Sequence, residues 1–293
     1  MRLFRLVPLL IAFSSTLLFS SCSVKLIEDE FPDFVKKPVI NASLTPDSVM
    51  KVHLSYTANL SDTVMPPVTN AQVNIISDGG DMVNLNYEGK GYYTCNQKPI
   101  AGEGYTCHVT IPGLEEVTAH TKLPEPSHII STEFTQKAGI DDNGMEYSSL
   151  KITFDNDLTQ NRCYHVRLLY KSAYYNNIWN EDYIVIDPKN DTVFLAEAAP
   201  LYIFSNKKMT TTNPTITVNF SESDNLTAPY TLELRTADDS YYTYMKHLYL
   251  YQLGVSGGGF GQIPPAYNLY SNVKNGYGIF TSYSCEQKSI VFN

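Results

Sequence analysis

Apolar and polar residues alternate in short runs over most of this chain. Val52 and Leu54 are separated by one polar position, and so are Val73 and Ile75. A period of two places alternate side chains on the same face of a β-strand, so one face of each run is predicted to be buried. The strands predicted in the first half are Val39–Leu44, Lys51–Tyr56, Ala71–Ser77, Met82–Tyr87, Gly91–Asn96, Gly104–Ile111 and Glu116–Thr121.

The second half continues this pattern and adds one stretch of helical periodicity. Its predicted strands are Ile129–Gln136, Glu146–Phe154, Cys163–Tyr170, Asp182–Ile186, Pro214–Phe220 and Thr231–Arg235. Tyr241, Met245 and Leu248 then recur at helical spacing behind a pair of acidic residues that can cap a helix start. We predict one α-helix near residues 239–253, ended by Gly254.

A hairpin is predicted close to the C-terminus. Asn275-Gly276 lies between two strand-like runs, Tyr270–Lys274 and Tyr277–Tyr283. An Asn-Gly pair suits the tight turn of a two-residue hairpin, in which both central residues have positive φ.

The segment Pro124-Glu125-Pro126 interrupts the strand pattern and predicts a stiff joint. We therefore predict a mostly β chain with two β-sandwich-like domains, residues 38–124 and residues 127–293. Short strands separated by frequent turns indicate an immunoglobulin-like or transthyretin-like sandwich for the first domain. The second domain is predicted to be β-rich and to carry the one helix.

The N-terminus has the pattern of an export signal. A basic start is followed by an apolar run, Leu6–Phe19, and then by Ser20-Ser21-Cys22. This arrangement resembles a bacterial lipoprotein signal, in which residues 1–21 are removed and Cys22 is acylated; an ordinary secretory leader is the alternative. The apolar run is too short for a membrane-spanning helix. Residues 22–37, which are acidic in part, are predicted to form a tether.

Composition narrows the classes of partner. The formal net charge is −9, and removal of the two leader arginines makes it more negative. This balance disfavours nucleic acid, whose phosphates require clustered Lys and Arg. It suits a body that an acyl chain on Cys22 holds near a membrane. We therefore predict a lipid anchor in a membrane, and the sequence leaves open which face of that membrane the protein occupies.

Four cysteines follow the leader, and their number allows three disulfide pairings in an exported protein. Cys95 and Cys107 flank a short loop between two predicted strands, so an antiparallel pairing of those strands would place the two thiols opposite each other. This bridge is the preferred one. Cys163 with Cys285 follows by elimination. Their spacing does not match a zinc site.

Few motifs suggest chemistry. The segment from Gly254 to Gly258 matches the pattern GxSxG, but a helix precedes it where the nucleophile elbow needs a strand. Asp141–Glu146 is too short for a calcium loop, and Gly-rich phosphate-binding motifs are missing from the sequence. We therefore predict no catalytic residue, no metal and no cofactor.

Two polar-aromatic segments are the candidates for contact with a partner or ligand. The chain has 22 tyrosines and one tryptophan. Tyrosine and tryptophan combine a large apolar surface with a polar tip and are frequent in binding surfaces. Packing of half-buried strands is the alternative explanation. The contact candidates are Tyr175, Trp179, Phe260, Tyr267 and Tyr270.

The C-terminal segment Ser271–Phe280 resembles the signature of a family of Bacteroidota lipoproteins known only as domain of unknown function 4249. Its motif positions here are Asn272, Asn275, Gly276, Gly278 and Phe280. Shorter similarities extend the resemblance over nearly the whole mature chain. Members of this family are typically encoded beside TonB-dependent outer-membrane receptors.

The resemblance implies a non-enzymatic accessory to such a receptor, active in nutrient binding or uptake through a ligand that the sequence does not identify. A structural or adhesive surface lipoprotein of the pilus or matrix type is the alternative. A hydrolase is the third candidate.

Overall fold

The computed structural model describes residues 35–59, 62, 64–141, 143–181, 184–185, 202–222, 226–256 and 268–290. The strands are β1 (Pro38–Leu44), β2 (Lys51–Tyr56), β3 (Gln72–Ser77), β4 (Met82–Gly89), β5 (Tyr92–Thr94), β6 (Gly104–Thr110), β7 (Val117–Lys122), β8 (Ile129–Ile140), β9 (Glu146–Phe154), β10 (Cys163–Lys171), β11 (Trp179–Glu181), β12 (Ile184–Val185), β13 (Ile203–Ser205), β14 (Thr215–Phe220), β15 (Tyr230–Ala237) and β16 (Tyr277–Ile290). The helix α1 spans Asp239–Ser256. The mostly β fold class is thus confirmed.

The first seven strands enclose one hydrophobic core. They pair in the order β1-β2-β5-β4-β3-β6-β7, with every neighbour antiparallel. Val52, Leu54, Val73 and Ile75 are at most 1% exposed and belong to this core. The period-two pattern therefore identified the buried faces correctly, and the result is the predicted sandwich-like arrangement.

A second core lies between the continuation of this same sheet beyond β1 and a separate four-stranded sheet. The continuation has the order β11-β10-β15-β16, with β13 also beside β10, and the separate sheet has the order β12-β14-β9-β8. Aromatic rings fill much of the space between them: Phe154 packs edge-on against Tyr164 at 4.9 Å, and Phe204 lies 5.4 Å from Tyr164 between ring centroids. Large buried rings give this core most of its apolar area.

The last strand belongs to both halves of the fold. Residues 277–282 of β16 run parallel to β1, and residues 283–290 run antiparallel to β15. Phe280 is accordingly buried in the first core and Ile290 in the second. The division into two domains at residues 124–127 stays a prediction. The structure shows in addition that the C-terminal strand β16 completes the first sandwich.

The predicted hairpin at Asn275-Gly276 is wrong. Within the described residues, Ser271 to Val273 form no strand, and Lys274 makes an isolated bridge to Thr118. Asn275 alone of the Asn-Gly pair has a positive φ, 61°. The segment that follows the turn finds β1 as its partner instead of the residues just before it, so a local turn signal was overridden by a pairing with the distant N-terminal strand.

The helix α1 begins where predicted and ends later. Its Tyr241 and Met245 pack with Ile203, Ala237 and Tyr283 on the outer face of the β10–β15–β16 sheet. Gly254 does not end it, since the helix continues to Ser256. Among the helices of the described residues, none is long and apolar enough to cross a membrane.

The predicted Cys95–Cys107 disulfide is wrong, because both cysteines are free thiols. Cys95 follows β5, whose neighbours are β2 and β4, and its backbone N–H donates to Met50. Cys107 lies on β6 between Ile75 of β3 and Ala119 of β7. The strand that leads to Cys95 and the strand that carries Cys107 are therefore not neighbours.

The predicted Cys163–Cys285 disulfide is wrong for a related reason, and both residues are free. Cys163 of β10 lies opposite Ala237, and Cys285 of β16 lies opposite Arg235. Strand β15 thus separates them, which places their backbones roughly 10 Å apart, beyond the ~7 Å that a disulfide can span.

Candidate functional site

Residues 172–181, hereafter the aromatic turn, follow β10 and include β11. A short 3₁₀ helix, Ala173–Tyr175, lies between the two strands. The buried Ser172 caps this helix: its hydroxyl accepts from the Tyr174 N–H at 3.3 Å, and its carbonyl accepts from Tyr175 and Asn177. Asn176 and Asn177 then adopt left-handed backbone with φ of 53° and 58°. Asparagine tolerates this conformation better than most residues, so the sequence suits a tightly reversed chain.

Large apolar side chains project from the aromatic turn into solvent. Tyr174 is 75% exposed, Tyr175 54%, Ile178 63% and Trp179 45%. Exposed apolar residues that occur singly are normal, but four within six positions form a patch typical of a binding surface. The predicted contacts Tyr175 and Trp179 are thus both exposed in this turn, and so are Tyr174 and Ile178 beside them.

The turn is also fixed to the body of the protein. The ring of Tyr175 packs edge-on against Tyr170, which is only 7% exposed, with 6.2 Å between centroids. The ammonium group of Lys171 lies 4.5 Å from the centroid of the Trp179 ring. These contacts hold both aromatic side chains at the sheet edge in a defined position.

The other predicted contact residues lie elsewhere. Tyr270 packs edge-on against His247 of α1, with centroids 6.1 Å apart. Phe260 and Tyr267 lie outside the described residues, and so does the predicted acylation site Cys22. The aromatic turn is thus the contact candidate for which the structure supplies geometry.

A row of charged side chains crosses β11, β10 and β15 on the face of the sheet where Lys171 and Trp179 lie. Arg167 binds Glu181 through Nε at 2.9 Å and binds Glu233 through Nη1 at 3.0 Å. Glu233 is 6% exposed and also accepts from Arg235 and Gln287, each at 2.9 Å. The buried carboxylate is fully compensated, which a buried charge requires. This row ends at Glu181 of β11, which is the last residue of the aromatic turn.

Beneath α1, Arg235 of this row lies opposite a neutral histidine, His165. Nδ1 of His165 lies 2.8 Å from the hydroxyl of Tyr241, and that oxygen accepts from Nη1 of Arg235 at 3.1 Å. The Tyr241 proton is therefore available to Nδ1 of His165. Burial, followed by the charges of Arg235 and Arg167, lowers the pKa of His165 to about 3. Sequence analysis missed this cluster because it depends on the register of β10 against β15.

Asp238 is a half-buried carboxylate with a structural role. It caps α1 by accepting from the Tyr241 N–H at 2.8 Å, and it also accepts from the hydroxyls of Thr121 and Thr281. Burial raises the pKa of Asp238, while these hydrogen bonds oppose that effect. Because both oxygens are engaged by the protein, this carboxylate is committed to holding the helix start.

Two clefts meet at Arg162, with volumes of about 310 and 420 Å³. Both are lined by Glu125, and neither is lined by Tyr, Trp or Phe. The guanidinium of Arg162 already contacts Ser127 at 3.1 Å and Asp157 at 3.8 Å. Within the part of the chain that the structure describes, His, Cys, Asp and Glu form no group of three suited to a metal ion.

The C-terminal motif has a structural explanation that begins with Asn272. Its Oδ1 accepts from the Phe280 N–H at 3.0 Å, and its Nδ2 donates to the Phe280 carbonyl at 2.7 Å. The same amide donates to the carbonyl of His120 at 3.1 Å. One side chain thus replaces a missing strand partner and joins β16 to β7.

The motif glycines allow β16 to lie against β1. At Gly278, with φ of 103°, a Cβ would lie 2.0 Å from the carbonyl oxygen of Ile40. At Gly276 a Cβ would lie 2.7 Å from the carbonyl oxygen of Pro38. Asn275 supplies the left-handed residue between the turn and the strand. These positions therefore serve strand docking, and we assign them no ligand contact.

One comparison with known proteins identifies a family. The model of a family described as Domain of unknown function (DUF4249) matches residues 24–289, which include both cores and the aromatic turn. Curated proteins give no match to this chain.

Proposed function

The chain belongs to the DUF4249 family, and from that premise we propose that it is a lipid-anchored, non-enzymatic binding protein of the outer membrane. In this proposal it assists a TonB-dependent receptor in nutrient binding or uptake. The observation that carries the proposal is the aromatic turn, where a rigid reversal of the chain exposes four large apolar side chains. Rigid aromatic residues contribute contact area at a low cost in conformational entropy.

The leader sequence and the net charge of the protein support the proposed attachment to a membrane. The resemblance of residues 1–22 to a lipoprotein signal provides the attachment point, and the formal net charge of −9 keeps the body away from an anionic membrane surface. An acylated Cys22 followed by a tether would leave the sandwiches free to meet a neighbouring membrane protein.

The buried polar groups support a binding role over catalysis. His165 is neutral and hydrogen-bonded beneath α1, and Asp238 is occupied as a helix cap. Burial raises the pKa of Cys107 to about 12, so its thiol is a poor nucleophile. In each case the group has a structural task that accounts for its position.

Co-purification tests the proposal. The tagged full-length protein is expressed in its own bacterium, the outer membrane is dissolved in mild detergent, and proteins bound to the tag are identified by mass spectrometry. We expect a TonB-dependent receptor in near-stoichiometric amount. The double variant Ile178→Ala/Trp179→Ala should reduce it at least about tenfold, because truncating central aromatic contacts typically costs ~2 kcal/mol or more.

Two controls make the result decisive. Tyr251→Ala removes a tyrosine that is 43% exposed on α1 and does not belong to the aromatic turn, and it should leave the receptor yield unchanged. Cys22→Ser should release the protein from the membrane if that residue is acylated. Absence of a TonB-dependent receptor from the wild-type preparation would refute the proposed partnership.

A structural or adhesive role is the second candidate, and one observation favours it. Strand β8 is the edge of its sheet and is 12 residues long. Long edge strands can add a strand from another chain. Two register irregularities and the left-handed Lys137 interrupt this edge, as in strands protected against such pairing. SDS-resistant polymers of the protein would favour this role over the receptor partnership.

A further inference from the structure

We propose that the aromatic turn binds neutral glycans, with its aromatic rings stacking on sugar rings and nearby amide and carboxylate groups binding hydroxyls. This inference rests on the proposed function, because it names the ligand class for the same surface. It is carried by three features of the turn: the ring faces, the hydrogen-bonding groups between them, and the balance of charge.

The ring faces come first. One face of a pyranose ring carries C–H groups with partial positive charge, and these pack favourably on the negative face of an aromatic ring. Tyr174 is 75% exposed and Tyr175 is 54% exposed. Lys171 covers part of the Trp179 ring, which still keeps 45% of its surface accessible. Each of these three exposed rings can therefore stack on a sugar unit.

Groups that bind hydroxyls lie between the rings. Among the described residues, the side-chain amides of Asn176 and Asn177 and the indole N–H of Trp179 have no hydrogen-bond partner. Both hydrogen bonds from the Arg167 guanidinium to Glu181 end on Oε2, which leaves Oε1 as an acceptor. Amides and carboxylates suit sugar hydroxyls because a hydroxyl both donates and accepts.

The charges favour a neutral ligand. Lys171 and Glu181 lie on the same face of the β10–β11 pair, opposite in sign, and Arg167 is shared between two glutamates. A surface without excess positive charge offers little to a sulfated or uronic polymer, whose attraction would need unpaired Lys or Arg. Neutral hexoses or pentoses match this face better.

The aromatic turn alone is too small for a whole protein interface, so a receptor contact would have to extend beyond it, whereas the turn by itself can hold a glycan. A stable protein interface buries about 800 Å² on each partner and uses ~20–30 residues a side. The aromatic turn contains ten residues from 172 to 181, and its apolar side chains belong to six consecutive positions. A surface of this extent suits an oligosaccharide of a few units.

The chain contains its own reporter for this site. Trp179 is the single tryptophan of the sequence, so intrinsic tryptophan fluorescence reports on the aromatic turn alone. The full-length protein in detergent micelles is titrated with maltohexaose, cellohexaose, mannohexaose, xylohexaose and, as an anionic comparator, hexagalacturonate. We expect at least one neutral hexasaccharide to shift the emission to shorter wavelength, to saturate, and to protect Trp179 from acrylamide quenching.

Variants locate the binding without removing the reporter. Tyr174→Ala should weaken the affinity about tenfold, the loss expected for one aromatic stacking partner. Glu181→Gln should weaken it several-fold, since the amide keeps the shape and loses the charged acceptor. Tyr251→Ala should leave the affinity unchanged, and thermal unfolding of each variant checks that it folds like the wild type.

The outcomes separate this inference from the proposed function. If none of the neutral hexasaccharides changes the emission at about 10 mM, a concentration that would reveal even a millimolar Kd, the glycan inference is refuted. Receptor co-purification under those conditions would leave the proposed function standing. Glycan binding without any receptor would uphold this site and refute the partnership. Binding of hexagalacturonate alone would also refute the inference.

Discussion

Thr121 donates a 2.7 Å hydrogen bond to Oδ2 of Asp238, across 117 positions of sequence. Thr121 lies on β7 at the end of the first sandwich, and Asp238 caps α1 in the second half. The start of the helix is therefore fixed by a strand that belongs to the other core. This bond makes the position of α1 depend on both halves of the fold.

Replacement of Asp238 should destabilise the protein strongly. Asp238→Ala removes the helix cap and leaves buried hydroxyl groups without an acceptor, so we expect a loss of about 3 kcal/mol or more in the free energy of unfolding. Asp239→Ala is the matched control, because Asp239 is an exposed neighbour of the same type, and it should cost less than ~1 kcal/mol. Urea denaturation measures both, and equal losses would contradict the assigned role.

Gly278→Ala should separate β16 from β1. The new Cβ would lie 2.0 Å from a backbone carbonyl oxygen, and alanine disfavours a φ of 103°. We expect a loss of about 3 kcal/mol or more. Gly113→Ala is the control, since Gly113 also has a positive φ, 83°, but nothing lies within 4 Å of its added Cβ. That variant should lose only about 1 kcal/mol, and a Gly278→Ala protein as stable as it would contradict the close approach.

Acid should destabilise the protein through His165. The folded protein holds the pKa of this group at about 3, whereas an unfolded chain titrates near 6.5. Between these values the unfolded state binds more protons, so the contribution of His165 is present above pH 6.5 and is lost as the pH falls towards 3. The slope from this one group is about 1.4 kcal/mol per pH unit.

The variant His165→Gln isolates that contribution. Glutamine can accept from Tyr241 and does not titrate, so the difference in unfolding free energy between wild type and variant should shrink as the pH falls from 7 to 5. Urea denaturation at several pH values measures it. A difference that stays constant over this interval would show that His165 binds protons equally in the folded and unfolded states, which would contradict the lowered pKa.

The cysteines should remain reduced in the mature protein. Alkylation with iodoacetamide under denaturing conditions, without a reductant, should label Cys95, Cys107, Cys163 and Cys285, because all four are free thiols. In the folded protein Cys107 should stay unlabelled at pH 8, since burial raises its pKa to about 12. Intact mass measured before and after reduction provides the control. A disulfide-linked peptide would contradict the strand order.

Local patterns predicted the elements well where one face of each element is buried. Lys51–Tyr56 and Glu146–Phe154 were predicted with the bounds that the structure has. The spacing of Tyr241 and Met245 likewise predicted α1 and the face that packs on the sheet. In these elements the spacing of apolar residues in the local sequence matches the spacing of buried positions, so the elements could be predicted without knowledge of the tertiary contacts.

Pairings between distant strands could not be obtained in this way. The hairpin at Asn275-Gly276 failed because β16 pairs with β1, whose residues lie more than two hundred positions earlier. The predicted disulfides failed because β5 and β6 are not neighbours and because β15 lies between β10 and β16. Tyr175 and Trp179 stay predicted contact residues, chosen from a polar-aromatic segment of the sequence, whereas the ion pairs of Arg167 with Glu181 and Glu233 could be known only from the strand order.

The parallel pairing of β1 with β16 also has a mechanical consequence. A pull on the residues that precede Pro38 enters the fold along β1, which is bonded to β2 on one edge and to β16 on the other. Ladder bonds lie across the strand direction, so such a pull loads a whole row of them together in shear instead of opening them one by one. Tension at the N-terminus is therefore resisted by the C-terminal end of the chain.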